Sequence, residues 1–392
     1  MRKALAAVLV LLLLAGINPT AWAEELRLAV TSDLHFSLSG DGGIYPLLGH
    51  SEALVNTLID QLLELHPDAL LLCGDNTNSG RLTDMQALTA SLRRLTEAGI
   101  PVIAVPGNHD FDLSTAESYA ACYAGLFAPE DTDPASLGAM VHLGSLRILA
   151  MDDSSYRAGT NGEFSADTLH WLVTQLREAA AAGERVLFLS HHNVLPGGQA
   201  AADSRYRIQN VQLRDLLESY GVTLCLSGHR HSQEVLSDGT LYEIISAMPA
   251  AAPCQFGWIT VDDEVLHYAT RRIDFARYGA RYGLAEAGGT AGFRPKSYRG
   301  IVERVESWQE LDEASQQRIL ALFSLFMEHL ACGSLNEIRE QILSDPVTDT
   351  MLEVFSHTNY GAWMAALLRQ EALPGNALEL SLRACVDPAI AS

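Results

Sequence analysis

Five short stretches of this chain carry side chains able to bind metal, and each follows an apolar run. They are Asp33-Leu34-His35, Gly74-Asp75-Asn76, Pro106-Gly107-Asn108-His109-Asp110, His191-His192-Asn193 and Gly228-His229-Arg230-His231. Residues two apart on an extended segment point the same way, so Asp33 with His35, and His229 with His231, can each reach one ion. Asp75 can bridge two ions with its two oxygens, while Asn108 and His191 add neutral donors to the second. Oxygen and imidazole ligands together suit Fe, Mn or Zn, and no cysteine spacing resembles a structural zinc site. Two such ions about 3.5–4 Å apart would hold between them a hydroxide able to attack phosphorus at neutral pH.

The elements that must present these groups follow from hydrophobic periodicity. Strands are predicted over 26–31, 69–73, 102–105, 146–151, 186–189 and 222–226, most of them running straight into a motif. Between them, Leu54, Leu58, Leu62 and Leu65 trace a helix ended by Pro67, and the capping box Thr83-x-x-Gln86 opens another over 84–98. Leu169, Leu172, Val173 and Leu176 mark one face of a helix over 165–182, and 213–220 is a further helix. The first part is thus β-α-β-α-β with continuously apolar strands, which predicts a largely parallel sheet covered on both faces. Ligands at the carboxyl ends of such strands sit where open α/β sheets bind. Short strands fill 234–273 around the Asp238-Gly239 turn. Residues 274–297, rich in Gly, Ala, Arg and Tyr, read as a connection. From 298 to 392 the pattern is helical throughout, with Ile319, Phe323, Phe326 and Leu330 on one face and the capping box Ser334-x-x-Glu337.

Composition narrows the function classes. With 392 residues, 48% hydrophobic and 19% charged, the chain can bury one large core or two. Residues 1–23 have Arg2 and Lys3, an apolar run over 4–16 and Ala21-Trp22-Ala23, the make-up of a signal peptide, so an exported mature chain from residue 24 is expected. No later stretch is long and apolar enough to span a bilayer. A net charge of −22 argues against duplex nucleic acid or anionic lipid as the main partner. The six cysteines leave any disulfide pairing open, and Cys73 and Cys225, inside apolar strands, read as buried thiols.

Taken in order, the five blocks Asp-x-His, Gly-Asp, Gly-Asn-His-Asp, His-His and Gly-His-x-His resemble the calcineurin-like metallophosphoesterase superfamily, over about residues 26–270. The stretch Met151-Asp152-Asp153-Ser154 to Gly162, followed by a helix and the His-His block, is similar to the class that includes glycerophosphodiesterases and cyclic-nucleotide phosphodiesterases. Where that family usually has prolines straight after the histidine pair, this chain has Asn193-Val194-Leu195-Pro196. The resemblance implies an α/β fold: a four-layer α-β-β-α sandwich as the catalytic domain over 24–273, with an all-helical extension over 298–392. It implies two divalent metal ions, the first on Asp33, His35 and His231, the second on Asn108, His191 and His229, with Asp75 bridging. His109 would sit beside the scissile phosphate and serve the leaving oxygen. Asp110 orients His109 or merely closes the turn; His192 lines the pocket or faces elsewhere; Arg230 faces away. The expected activity is hydrolysis of a small phosphodiester, the alternative being a phosphomonoesterase or nucleotidase with the same site. A reading from another class is a catalytically silent surface protein. Loops 37–49 and 196–207 would rim the pocket.

Overall fold

The computed structural model describes residues 25–40, 46–156, 161–197, 204–285, 297–356, 358–369 and 373–391. The expected signal segment 1–23 lies outside the described residues, as do 286–296 of the expected connection, residue 357 and parts of both expected rim loops.

In the first half, β1 (Leu26–Thr31), β2 (Ala69–Cys73) and β3 (Val102–Val105) alternate with α1 (Ser51–Leu65) and α2 (Leu82–Glu97), and α3 (Ala116–Tyr123) follows. The chain then adds β4 (Asp131–Thr132), β5 (Ala139–Leu143), β6 (Leu146–Ala150), α4 (Ala166–Ala182), β7 (Arg185–Leu189), α5 (Leu213–Ser219) and β8 (Leu224–Ser227). Next come β9 (Glu234–Ser237), β10 (Tyr242–Ile245), β11 (Gln255–Asp262) and β12 (Val265–Arg272). The strands form two sheets, β12-β11-β1-β2-β3 and β4-β5-β6-β7-β8-β10-β9, the first gaining one more strand described below.

Alternation along each strand builds the layers. Leu28, Val30, Leu71 and Ile103 of the first sheet meet Ile148, Leu187, Leu189 and Leu226 of the second. On the outer face of the first, Leu70 and Leu72 pack with Leu58 and Leu62 of α1 and with Leu88 and Leu92 of α2. On the outer face of the second, Phe188 and Cys225 pack with Leu172 and Leu176 of α4 and Leu217 of α5. The order is therefore helices, sheet, sheet, helices. The sheets are mixed and not largely parallel: β1-β2-β3 and β6-β7-β8-β10 are parallel, whereas β11 and β12 run antiparallel. A continuous apolar run reports burial on both faces, which the sandwich imposes whatever the strand direction.

Beyond residue 297 come α6 (Ser297–Glu306), α7 (Glu313–Cys332), α8 (Leu335–Leu343), α9 (Thr348–Phe355) and α10 (Asn359–Arg369), around a core of their own that includes Ile319, Phe323, Phe326 and Phe355. Helix is not continuous to the end. β13 (Ala377–Ser381) pairs antiparallel with β12 and extends the first sheet, burying Leu380 between the sheets, before the short α11 (Pro388–Ala391). Two expected capping boxes do not form: α2 is preceded by Arg81 and α8 by Ser334, neither with a side-chain cap. Asp84 instead accepts the Leu38 N–H at 3.2 Å, fastening a rim loop. Among the described residues no helix is long and apolar enough to cross a membrane.

Candidate metal centre

Strands β1, β2, β3, β7 and β8 each deliver one motif at the carboxyl end, and backbone bonds clamp these ends together. Asp33 N donates to Gly74 O at 2.9 Å, His35 N to Asp75 O at 3.0 Å, and Gly228 N to His191 O at 3.0 Å. The approach is so close that only glycine fits. A Cβ on Gly107 would lie 2.2 Å from Asp75 N, and one on Gly228 would lie 1.8 Å from Ser32 Oγ.

The motifs are not extended. Asp33, His35, Asp75, His229 and His231 all have positive φ, between 41° and 69°. The spacing of two therefore works through paired left-handed residues and not through strand alternation, and each such residue costs on the order of 1–2 kcal/mol.

The seven residues singled out as ligands converge in two overlapping groups. Asp33, His35, Asp75 and His231 each offer one atom, all within 4.8 Å of one another. His35 Nε2 lies 3.1 Å from His231 Nε2, and His231 Nε2 lies 3.3 Å from Asp33 Oδ1. In the second group His191 Nε2 is 3.3 Å from Asn108 Oδ1, 3.1 Å from His229 Nδ1 and 3.3 Å from Asp75 Oδ2. Asp75 Oδ2 also lies 3.7 Å from His35 Nε2, so this one oxygen faces both groups. The other does not: Oδ1 accepts the His109 N–H at 2.8 Å, which corrects the expectation of a bridge through both oxygens.

Electrostatics and the satisfaction of polar atoms point the same way. Burial alone would raise the Asp33 and Asp75 carboxyls, yet His231 beside Asp33 and His191 beside Asp75 hold both low. Burial pulls His35 down to about 4 and pushes His229 well below the usual imidazole range. His191 resists its burial and stands at about 10, because Asp75 and Asp33 favour its charged form. A site that favours positive charge at this spot also favours a cation. Asp33 Oδ1 is buried and makes no hydrogen bond, with His231 Nε2 its near neighbour at 3.3 Å, as suits an oxygen reserved for an ion. His191 donates Nδ1–H to Cys73 O at 2.8 Å, which directs Nε2 into the cluster. The donor set of carboxylate, amide and imidazole fits the two ions that the motifs suggested.

His109 sits at the rim, its ring 4.9 Å from that of His35. Its Nδ1 is 3.2 Å from Asn78 O and 3.2 Å from an Asp112 oxygen. Asp110 takes the turn-closing role: its carboxylate accepts from Gly107 N, Asn76 N, Asn76 Nδ2, Thr77 N and Thr77 Oγ1. Arg230 is turned into a buried network with Asn193, Gly197 O and Glu234.

Three further residues stand close to the cluster: His192, for which the sequence left open whether it lines the pocket, and two to which the sequence assigned no role. His192 offers a nitrogen within 4.8 Å of those of His191 and His229. Asp153 receives His192 Nδ1 at 2.9 Å on one oxygen and the N–H groups of His191 and His192 on the other. Its position just past β6, alongside the other strand-end aspartates, was the available signal. Tyr206, whose ring stands 5.4 Å from that of His229, had none.

The family model for calcineurin-like phosphoesterases matches residues 26–233. A protein of Synechococcus sp. (strain WH7803) named "Probable cyclic nucleotide phosphodiesterase" is 30% identical over 212 residues, covering 52% of this chain and 74% of that protein. One of the same name from Vesicomyosocius okutanii subsp. Calyptogena okutanii (strain HA) is 23% identical over 201 residues, covering 51% and 76%. Among solved structures, a dimetal phosphatase from Danio rerio aligns with a TM-score of 0.52 at 18% identity, over 63% of this chain and 96% of that one, a likeness of fold.

Proposed function

The chain belongs to the calcineurin-like phosphoesterase family, and we propose on that premise that it is an exported hydrolase of a small phosphodiester, working with two divalent ions. The observation that carries the reading is the pair of ligand groups sharing Asp75 Oδ2. Asp33, His35 and His231 would hold the first ion, Asn108, His191 and His229 the second, with Asp75 within reach of both. Bound there, ions of the Fe, Mn or Zn type supply Lewis acidity, acidifying an attacking water and neutralising phosphate charge.

The chain's own residues do the rest. Cys73 O orients His191, and the His109 N–H fixes the rotation of Asp75. With Nδ1 of His109 engaged by Asn78 and Asp112, its Nε2 remains to protonate the leaving oxygen. The diester preference is supported by the names of the two relatives. A silent surface protein would leave gaps in the ligand set, and here all seven side chains gather. Turnover of bis-p-nitrophenyl phosphate against p-nitrophenyl phosphate, after chelation and readdition of Mn²⁺ or Zn²⁺, tests the proposal. Faster monoester turnover would sink the diester preference, and none with either substrate the enzyme reading.

A further inference from the structure

The family match ends at residue 233, so it leaves the helices beyond residue 297 without a role. The loop between β8 and β9 carries His229 and His231, at φ +69° and +57°. Two strained residues so close together persist only where neighbours hold the backbone on both sides. On the core side, Gly228 N bonds His191 O and His229 N bonds Asp33 Oδ2 at 3.1 Å. Arg230 ties the same half of the loop to Asn193 and Gly197.

The other half runs into β9, which among the described residues pairs with β10 alone and so ends its sheet. Across that edge lies the helical extension. Gln233, 2% exposed and two residues after His231, crosses the gap. Its N–H donates to Leu330 O of α7 at 3.3 Å, and its Nε2 to Gly375 O at 2.8 Å and to the Tyr268 hydroxyl at 2.9 Å. Its Oε1 accepts the Ala247 N–H at 3.3 Å. Gly333, at φ +76°, packs so tightly that a Cβ there would lie 2.8 Å from Gln233 Cγ and 2.7 Å from the Gly375 carbonyl carbon. Next to this contact the seam is hollow, a cavity of about 350 Å³ lined by Leu195, Leu236, Leu330, Leu335, Leu367 and Leu373. Apolar packing is therefore thin here, and polar contacts carry the connection: those of Gln233 beside the metal-binding loop and, farther from it, Gln255 Nε2 donating to Ala331 O at 3.0 Å.

We infer that the helical extension is the outer clamp of the metal-binding loop, and that Gln233 is the positioning residue through which it sets His231. The inference rests on the two-ion reading above. Because Arg230 and Gly228 secure the His229 half independently, loosening Gln233 acts on the ion held by Asp33, His35 and His231 and spares the other.

The test uses the full chain and Mn²⁺ as the probe. Gln233→Ala removes the clamp from the loop side, and Gly333→Ala disturbs it from within the extension. Arg318→Ala, which breaks the Arg318–Asp345 pair elsewhere in the extension, is the control. Removing an outer partner of a ligand costs about 10–100-fold in metal affinity. One of the two Mn²⁺ equivalents should weaken by that factor in both test variants, with the second unchanged. Diesterase kcat should fall at limiting Mn²⁺ and return at saturating Mn²⁺, with KM constant. The control should match the wild type. Two unchanged equivalents in Gln233→Ala, or equal weakening of both, would overturn the inference while leaving the two-ion reading intact. A wild-type chain that binds no Mn²⁺ would overturn that reading instead, and the inference with it.

Discussion

Replacing Asp75 by asparagine keeps the shape of the side chain and changes one oxygen to an amide nitrogen. Its orientation is forced. An NH2 at the Oδ1 position would meet the His109 N–H now 2.8 Å away, donor against donor, so the amide oxygen must turn there. The NH2 then points where Oδ2 now faces His35 and His191, and neither ion keeps that ligand atom. Breaking a buried charge pair costs about 3–5 kcal/mol, which at about 1.4 kcal/mol per tenfold is roughly 10²–10⁴ in affinity. Both ions should weaken by at least about 100-fold on that scale, and diester turnover should fall in step. Equilibrium dialysis with Mn²⁺, turnover of bis-p-nitrophenyl phosphate and circular dichroism read metal affinity, activity and fold. An intact variant that keeps two tightly held ions and full turnover would refute a shared Oδ2.

His109→Ala should lower turnover by about 10²–10⁴ while metal content stays at the wild-type value; a change in metal content would make His109 a ligand instead. Glu243 is fully buried, accepting from Val194 N, Leu195 N and Ser227 Oγ, and burial raises its carboxyl above the usual range. A raised acid contributes stability that is complete below its unfolded pKa and is lost as pH rises through the folded one. Glu243→Gln leaves a backbone donor unmatched at about 1–3 kcal/mol, so denaturant titrations should show that deficit near pH 4 and a narrowing gap toward pH 8; a gap that widens with pH contradicts the account. A chain ending at Asn376 loses β13 with the buried Leu380 and Leu382. At about 1.5–3 kcal/mol for each leucine, it should melt well below the full chain and aggregate through the bared edge of β12; an unchanged melting temperature would show the strand to be dispensable.

Much of the fold was legible in the sequence. The strands Leu26–Thr31, Ala69–Cys73 and Val102–Val105 fall where apolar runs give way to turn residues. Strand direction was not legible, because antiparallel β11 is nearly as buried as β2 in the parallel part of the same sheet and so looks the same. Nor was β13, whose Leu378 and Leu380 alternate with exposed positions over only five residues, too short a span to separate a strand from a helix turn. Its pairing partner lies more than a hundred residues earlier, and no local pattern encodes that distance. The capping box of α2 failed because the helix already begins at Leu82 behind Arg81, which puts Thr83 inside its first turn and not at the cap.

At the candidate site, residue types and order could be read, while the backbone that makes them converge could not. An aspartate or histidine in a left-handed conformation carries no signature of its own, since propensity disfavours it and tertiary contact imposes it. What could be read is the glycine nearby. Gly107 and Gly228 touch Asp75 and Ser32 at distances that exclude any side chain, so the strand ends interlock before any ligand is placed. That interlock, with the bonds from Asp33 N to Gly74 O and from Gly228 N to His191 O, holds residues that would otherwise relax to ordinary backbone. The seven side chains are thus aimed by packing between two sheets, and the same packing explains why the outermost loop, lying at a sheet edge, requires support from outside the sandwich.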